Sequence, residues 1–143
     1  IDCDPSFADT AEFCNHYGYS LDESANAILL EGKAESPVYA LCVVLATTRI
    51  NVNKVARKRL GTRKASFASA EITKELTGME IGGVTPVGLP VDLPIWIDSL
   101  VMETRKVIIG AGSRSAKIYL SPDNLLRFPN THIVDGLSMP IVN

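Results

Sequence analysis

Residues 38 to 46 read VYALCVVLA, an uncharged run of nine positions in which valine occurs three times. A short apolar run rich in β-branched residues predicts a buried strand. A second apolar run, AILL, occupies residues 27 to 30 and is followed by Gly32 and the polar turn KAES. Because a glycine and a polar turn separate the two runs, they are predicted to pair as a β-hairpin.

The chain on the C-terminal side of this hairpin contains further strand patterns. Residues 94–98 (PIWID), 106–110 (KVIIG) and 116–120 (AKIYL) are predicted to be strands, and a short strand is expected at Phe67. Gly110 to Ser113 is predicted to form the tight turn between the last two strands.

Four helices are predicted from capping residues and from glycine or proline stops. They run from Asp4-Pro5 to Gly18, from about 51 to 60 before Gly61, from a Ser69 cap through Leu76 before Gly78, and from Ser121-Pro122-Asp123 to Pro129. Alternating strands and helices predict an α/β or α+β fold, and the hairpins argue against an all-parallel sheet.

Length and composition favour a single globular domain over residues 1–143, with 46% hydrophobic and 21% charged residues. No apolar stretch is long enough to span a membrane, and no export signal is evident. The chain begins with Ile1 rather than methionine, which indicates that the natural N-terminus is missing. Cys3, Cys14 and Cys42 form neither a CxxC pair nor a metal-ligand cluster, so free thiols in a reducing cytoplasm and no metal site are expected.

Positive charge is concentrated in one segment. Residues 54 to 64, KVARKRLGTRK, carry six of the fourteen basic residues and no acidic one, which leaves about −8 for the rest of the chain. Such a basic face can steer a polyanion. A solvated helix face is the commoner interpretation. The candidate nucleic-acid contacts are Lys54, Arg57, Lys58 and Arg63.

Glycine and proline are concentrated in residues 78 to 90, GMEIGGVTPVGLP, which hold four glycines and two prolines. This segment is either an ordinary turn at the end of a sheet or a loop whose main-chain N–H groups point into a pocket and polarise a carbonyl. GAGS at 110 to 113 could face it. The candidate residues in the two segments are Gly82, Gly83, Val84, Thr85, Pro86 and Gly88, with Gly110, Gly112 and Ser113.

Two further polar residues stand next to predicted strands. Asp98 ends a buried strand and is either the cap of a following helix or a site residue. Asn26 precedes an apolar strand and is either a strand-edge hydrogen-bonding group or a site residue. His16 and His132 have no triad spacing and are expected to be structural. Walker, Rossmann and nucleophile-elbow motifs do not occur.

Several motifs follow one another in a characteristic order. They are an Ala-x-Ala-x-Leu strand start, NVNKVARKRLG, SAEITKELTGMEIGGVTPVG, LPIWID, IIGAGS and SPDNLLR. This order resembles the YbaK/prolyl-tRNA-editing-domain family over about residues 20 to 135. TGMEIGGVTPVG is the most specific part of the resemblance.

The resemblance implies a single compact domain with a mixed, curved and partly barrel-like sheet flanked by helices. It also implies a cytoplasmic hydrolase that cleaves the ester of mischarged tRNA, typically tRNA for proline carrying alanine or cysteine, because a pocket rejects a smaller side chain poorly and a second sieve is needed. The backbone of Gly82 to Thr85 would hold the aminoacyl carbonyl or the terminal adenosine for attack by water. No cofactor is implied, the basic helix would contact the tRNA acceptor end, and prolyl-tRNA synthetase is a candidate partner.

One position departs from this resemblance. Editing members generally carry a lysine where this chain has Asn26, and an amide cannot supply the charge of an ammonium. Two alternatives therefore stay open beside the deacylase. One is a module of the same fold that binds aminoacyl-tRNA or a nucleotide without hydrolysis, and the other is general nucleic-acid binding through residues 54 to 64. The sequence predicts neither the oligomeric state nor which amino acid is removed.

Overall fold

The protein is built around a mixed β-sheet in a computed structural model that describes residues 1–90 and 92–141. In chain order the strands are β1 (Ala25–Lys33), β2 (Val38–Leu45), β3 (Thr48–Ile50), β4 (Lys64–Phe67), β5 (Ile95–Asp98), β6 (Val107–Gly110), β7 (Lys117–Leu120), β8 (Thr131–Val134) and β9 (Ser138–Pro140). The helices are α1 (Thr10–Tyr17), α2 (Arg57–Leu60), α3 (Ala70–Thr77) and α4 (Ser99–Met102). A π-helical turn, Val52–Ala56, leads into α2.

Five strands form the main sheet in the order β4-β1-β2-β5-β8. The β1–β2 hairpin is antiparallel, with Ile28 opposite Cys42, whereas β5 pairs in parallel with both β2 and β8. The predicted hairpin and the mixed sheet flanked by helices are confirmed. The sheet is open, with β4 and β8 at its edges, and two ribbons, β3–β9 and β6–β7, stand beside it.

Strand β2 is buried on both faces, which is why its sequence is apolar without interruption. Leu41 and Val43 pack into one hydrophobic core with the glycine/proline loop, defined as residues 78–90, and with ribbon β6–β7. Ala40, Cys42 and Val44 pack into a second core on the opposite face. The alternation follows from the period of two along a strand. Among the described residues, no helix is long and apolar enough to cross a membrane.

The predicted first helix is wrong in its extent, because the segment contains two separate helices. The Asp4 carboxylate accepts a hydrogen bond from the Ser6 amide at 2.9 Å and caps a short 3-10 turn, Pro5–Phe7. Asp9 then has extended backbone angles, and α1 begins after it. Gly18 ends α1 in the left-handed conformation, as predicted.

Two further predictions differ from the structure: the tight turn between β6 and β7 at Gly110 to Ser113, and the last helix. The link between the two strands is six residues long, because the N-terminal segment bonds to its far end: Asp2 bridges to Ala116, and the Cys3 amide donates to Ser115 O at 2.8 Å. The helix at Pro122–Arg127 is 3-10 rather than α. Strands β3, β8 and β9 were not predicted, because their residues carry no continuous apolar pattern.

The three cysteines are free, as the sequence predicted, and all three are buried. Cys42 is fully buried at the centre of β2. Burial raises the pKa of its thiol from an ordinary value near 9.0 to about 12, because a thiolate loses its hydration there.

We expect native Cys42 at about pH 8 to be alkylated at least roughly a thousandfold more slowly than in the urea-unfolded chain, because only the thiolate reacts. Iodoacetamide labelling followed by peptide mass spectrometry measures the rate at each cysteine. Labelling of native Cys42 at the unfolded rate would show that the centre of the sheet opens locally.

Candidate functional site

The candidate site lies along the outer edge of β1. Strand β4 pairs only with Leu30–Lys33, so β1 extends beyond its neighbour at its N-terminal end. A cavity of about 250 Å³ opens along this edge. Its lining comes from four elements: Asp9 and Thr10 at the start of α1, Ala25 to Ile28 of β1, Ile81, Gly82 and Val84 of the glycine/proline loop, and Gly110 and Lys117 of ribbon β6–β7.

Asn26 contributes an amide side chain to this cavity. The Thr10 hydroxyl donates a hydrogen bond to Asn26 Oδ1, which fixes the carbonyl side of the amide. In the part of the chain that the structure describes, the Asn26 amide nitrogen has no hydrogen-bond partner. Because Asn26 is only partly buried, this nitrogen can donate to a ligand oxygen.

The two glycine-bearing segments face each other, as the sequence suggested. The Gly112 amide donates to Gly83 O at 2.8 Å. A Cβ on Gly110 would lie 2.2 Å from Val84 O, and a Cβ on Gly83 would lie 2.7 Å from Ser113 O. Only glycine permits two backbones to approach this closely.

The loop amides differ in their availability. The Gly83 amide donates to Glu80 O at 2.9 Å and is therefore occupied. The amides of Gly82, Val84 and Thr85 have no hydrogen-bond partner within residues 1–90 and 92–141. Val84 lines the cavity and is 6% exposed, so its amide is a candidate oxyanion donor of the kind that acyl transfer requires.

Lys117 brings a positive charge to the cavity wall. The residue is 7% exposed, and its Nζ donates to Gly82 O at 2.9 Å. The Phe13 ring centroid lies 5.7 Å from Nζ. Burial lowers the pKa of this ammonium, an effect that nearby Arg114 increases and that Asp9 partly offsets.

Arg114 holds this side of the site together. Its Nη1 donates to an Asp9 carboxylate oxygen at 3.0 Å and to Ile81 O at 2.9 Å, and its Nη2 donates to Pro5 O at 3.0 Å. One guanidinium therefore connects the N-terminal segment to the glycine/proline loop. The Asp9 carboxylate is consequently already paired.

A second, more apolar cavity of about 190 Å³ adjoins the first. The two share Ala27, Ile28, Ile81 and Val84 in their linings, so they lie side by side, and together they are called here the site cleft. The residues lining only the apolar part are Leu29, Phe67, Ala68 and Thr73. The site cleft thus has a polar end at Asn26 and an apolar end at Leu29 and Ala68.

Phe67 also lines a third cavity of about 460 Å³ on the neighbouring surface. Arg49 and Lys54 supply its positive charges, and Asn51, Asn53 and Met139 lie beside them. This basic groove therefore meets the site cleft at Phe67, whose side chain is 56% exposed.

The residues of the predicted basic cluster differ in their surroundings. Lys54 lines the basic groove. Arg57 instead binds Asn53 O at 2.9 Å and Thr62 O at 3.2 Å, and so stabilises its own helix. Lys58 and Arg63 are exposed but line none of the cavities described above.

Several predicted site residues lie outside the site cleft. Gly112 and Ser113 pack behind the loop, Thr85 and Pro86 are buried, and Gly88 is exposed. Asp98 is 1% exposed and accepts a hydrogen bond from the Ser138 hydroxyl, and it makes no side-chain cap to α4.

The histidines also lie outside the cleft. His16 stacks on Phe7 with 3.9 Å between ring centroids, and His132 contacts Asn130 at 3.2 Å. Within the described residues, no group of three or more potential metal ligands occurs.

The sequence did not single out Thr10, Asp9 or Lys117. Thr10 lies on a helix whose start was predicted at the wrong residue. Lys117 lies on a strand for which the sequence does not show which face packs against the site. No local motif marks any of the three residues, because all reach the cleft through contacts between distant segments.

Comparison with known proteins gives a consistent picture. The model of the aminoacyl-tRNA editing domain matches residues 4–128. Uncharacterized protein YwhH of Bacillus subtilis is 33% identical over 111 residues, which cover 78% of this chain and 68% of that protein. A protein of Enterococcus faecalis provisionally named Cys-tRNA(Pro)/Cys-tRNA(Cys) deacylase EbsC is 26% identical over 69% of this chain and 58% of its own length.

Solved structures share the fold. A protein provisionally described as a trans-editing enzyme for prolyl tRNA synthetase superposes with a TM-score of 0.80 at 24% identity, covering 94% of this chain and 83% of that one. Hypothetical protein APE2540 also gives 0.80, at 25% identity over 92% and 85% of the two chains. With the family model matching most of its length, the chain belongs to the aminoacyl-tRNA editing domain family of the YbaK type.

Proposed function

We propose that the protein is a trans-acting aminoacyl-tRNA deacylase that hydrolyses the ester of a mischarged tRNA bearing a small amino acid. The observation that carries this proposal is that Asn26 and Val84 line one cavity, while the Asn26 side-chain nitrogen and the Val84 main-chain amide have no hydrogen-bond partner among the described residues. Those two donors suit an ester carbonyl whose oxygen becomes negative during attack. Family membership supports the reaction class.

The reaction needs no protein nucleophile. A water molecule attacks the acyl carbon, the bond from that carbon to the ribose oxygen breaks, and a proton from the water passes to the leaving oxygen. The vicinal ribose hydroxyl is a suitable relay for this proton. The protein contributes mainly position and oxyanion stabilisation, for which preorganised N–H donors are effective.

The apolar end of the site cleft is the candidate place for the acyl side chain. Its volume is about 190 Å³ and its lining is mainly apolar, and a small acyl side chain would fit it. Alanine, cysteine, serine and threonine are the candidate side chains. Transfer RNA for proline is the candidate carrier because the Enterococcus faecalis relative is named for Cys-tRNA(Pro). Prolyl-tRNA synthetase is the proposed partner because one protein of the same fold is described as a trans-editing enzyme for it, and the cytoplasm is the proposed location.

The basic groove gives the tRNA a path to the cleft. Arg49 and Lys54 can contact backbone phosphates, and the exposed Phe67 ring offers a face on which a base can stack. The single-stranded end of the acceptor arm would then pass Phe67 before its acylated terminus enters the cleft.

One observation favours a second candidate, a module that binds aminoacyl-tRNA without hydrolysing it. Asn26 stands where the resemblance implies a lysine, and its carbonyl is already bonded to Thr10. Such a module would slow the spontaneous loss of the amino acid, whereas a deacylase accelerates it.

We expect the purified protein to release amino acid from at least one of four mischarged tRNAs, carrying alanine, cysteine, serine or threonine. Asn26→Ala should slow release about 100- to 1,000-fold, the usual effect of losing one oxyanion donor, whereas the exposed Asn15→Ala should not. Single-turnover release of labelled amino acid measures this. No release above buffer with folded protein in excess would exclude the deacylase, and slower release than in buffer would establish the binding module.

Gly110→Ala should reduce deacylation at least about 100-fold, because its Cβ would lie 2.2 Å from Val84 O and must displace the loop. Gly61→Ala is the matched control. It carries the strain of a left-handed backbone (φ 76°) with no atom within 4 Å of its Cβ, so it should lower the melting temperature but leave the rate unchanged. Equal rates for the two variants would show that the loop contact does not matter.

Arg49→Gln should make tRNA binding less dependent on salt. The slope of the logarithm of the binding constant against the logarithm of salt concentration should fall in magnitude by about 0.7 to 0.9, the effect of one lost phosphate contact. Arg127→Gln, which removes an exposed arginine outside the three cavities described, should leave the slope unchanged. Filter binding of uncharged tRNA at several salt concentrations measures it. Identical slopes for the two variants would place the tRNA on another surface.

A further inference from the structure

The cation of this site lies on a different strand from the one that the family resemblance implies. Position 26 on β1 is an asparagine, and the described residues of the site cleft include one buried ammonium, that of Lys117 on β7. In the β6–β7 ribbon Lys117 is the register partner of Gly110, the glycine that contacts the loop carbonyl of Val84. The charge is thus held by the same ribbon that positions the loop.

This ammonium has no counter-ion within the described part of the chain. The ion pairs found there are Lys74 with Glu80 and Arg114 with Asp9. Asp9, the acidic residue beside Lys117 in the cavity lining, is therefore bound to Arg114. A buried charge without a partner is unfavourable, since burial removes its hydration.

The ammonium also has unused hydrogen-bonding capacity. A protonated lysine has three N–H donors, and Nζ makes one hydrogen bond, to Gly82 O at 2.9 Å, among the described residues. Two donors remain at a group that lines the polar end of the cleft. An oxygen with negative charge would satisfy both the charge and the donors.

We propose that Lys117 is the substrate-binding cation of this cleft and that its ammonium binds an anionic or partly anionic oxygen of the acylated terminal adenosine. This inference rests on the proposed function for the identity of the ligand. Two oxygens have the required chemistry, the acyl carbonyl oxygen and a phosphate oxygen of the terminal nucleotide. Lys117 also stabilises the glycine/proline loop, because its ammonium donates a hydrogen bond to Gly82 O.

The test is the binding of an aminoacyl-adenosine analogue in which an amide replaces the scissile ester, prepared with and without a 5′-phosphate. Binding is then measured separately from hydrolysis, so that a failure of the deacylase proposal does not affect the result. The acyl group is the one that the wild type binds best among alanine, cysteine, serine and threonine. Isothermal titration calorimetry gives Kd for the wild type, Lys117→Met, Lys117→Arg and the exposed control Lys33→Met.

We expect Lys117→Met to weaken binding about 10- to 100-fold, as for a lost charge-assisted hydrogen bond, and Lys117→Arg and Lys33→Met to retain most of it. If Lys117→Met loses the same affinity for both analogues, the ammonium binds the acyl carbonyl oxygen. If it loses affinity only for the phosphorylated analogue, the ammonium binds the phosphate. Unchanged binding by Lys117→Met, or no binding of either analogue by the wild type, overturns the proposal.

The pH profile separates a charge from a merely structural side chain. Cys3, Asp9, Cys14 and Arg114 face Lys117, and burial together with Arg114 lowers the pKa of its ammonium. As pH rises through this lowered pKa the charge is lost, so wild-type binding should weaken at a lower pH than an exposed lysine would allow. In Lys117→Arg this decline should disappear, because arginine stays charged. A decline of the same midpoint in both proteins contradicts the role of the ammonium.

Discussion

The structure depends on a direct contact between two backbones, in which Gly110 lies against the carbonyl of Val84 and the Gly112 amide binds Gly83 O. Any side chain at Gly110 or Gly83 would collide with main-chain atoms, and these atoms cannot move aside as a flexible side chain can. The contact joins the glycine/proline loop to ribbon β6–β7. It thereby places Val84 in the lining of the cavity at the free edge of β1, where Asn26 lies.

Charge is distributed around this contact in a specific way. Arg114 pairs with Asp9 and also binds two main-chain carbonyls, so it has a mainly structural role. Among the described residues the Lys117 ammonium makes one hydrogen bond, to Gly82 O, and Lys117 lines the cavity. The two cations lie three positions apart in sequence, yet one neutralises a carboxylate and the other remains available. Burial of an unpaired ammonium is unfavourable, and a substrate oxygen would compensate for it.

The cleft and the basic groove together suggest a division of tasks. The cleft contains the donors suited to an acyl group, whereas the groove at Arg49 and Lys54 contains the positive charge suited to a nucleic-acid backbone. Phe67 lies at the junction of the two and is the residue that both cavities share. In the proposed deacylase, recognition of the acceptor end and recognition of the acyl group would therefore be changed by different mutations.

Local sequence patterns predicted the β1–β2 hairpin, strands at 94–98, 106–110 and 116–120 that agree with β5, β6 and β7 to within one residue, the helix stops at Gly18, Gly61 and Gly78, and the family. These features follow from short-range rules of apolar patterning and glycine conformation, which are written locally in the chain. It also indicated that the two glycine segments face each other. Three placements became visible only in the folded chain: Asp98 lies away from the cleft, Arg57 bonds to main-chain carbonyls of its own segment, and Thr10 and Lys117 line the same cavity as Asn26. Such placements depend on contacts between segments far apart in sequence, whose partners no local pattern of residues specifies.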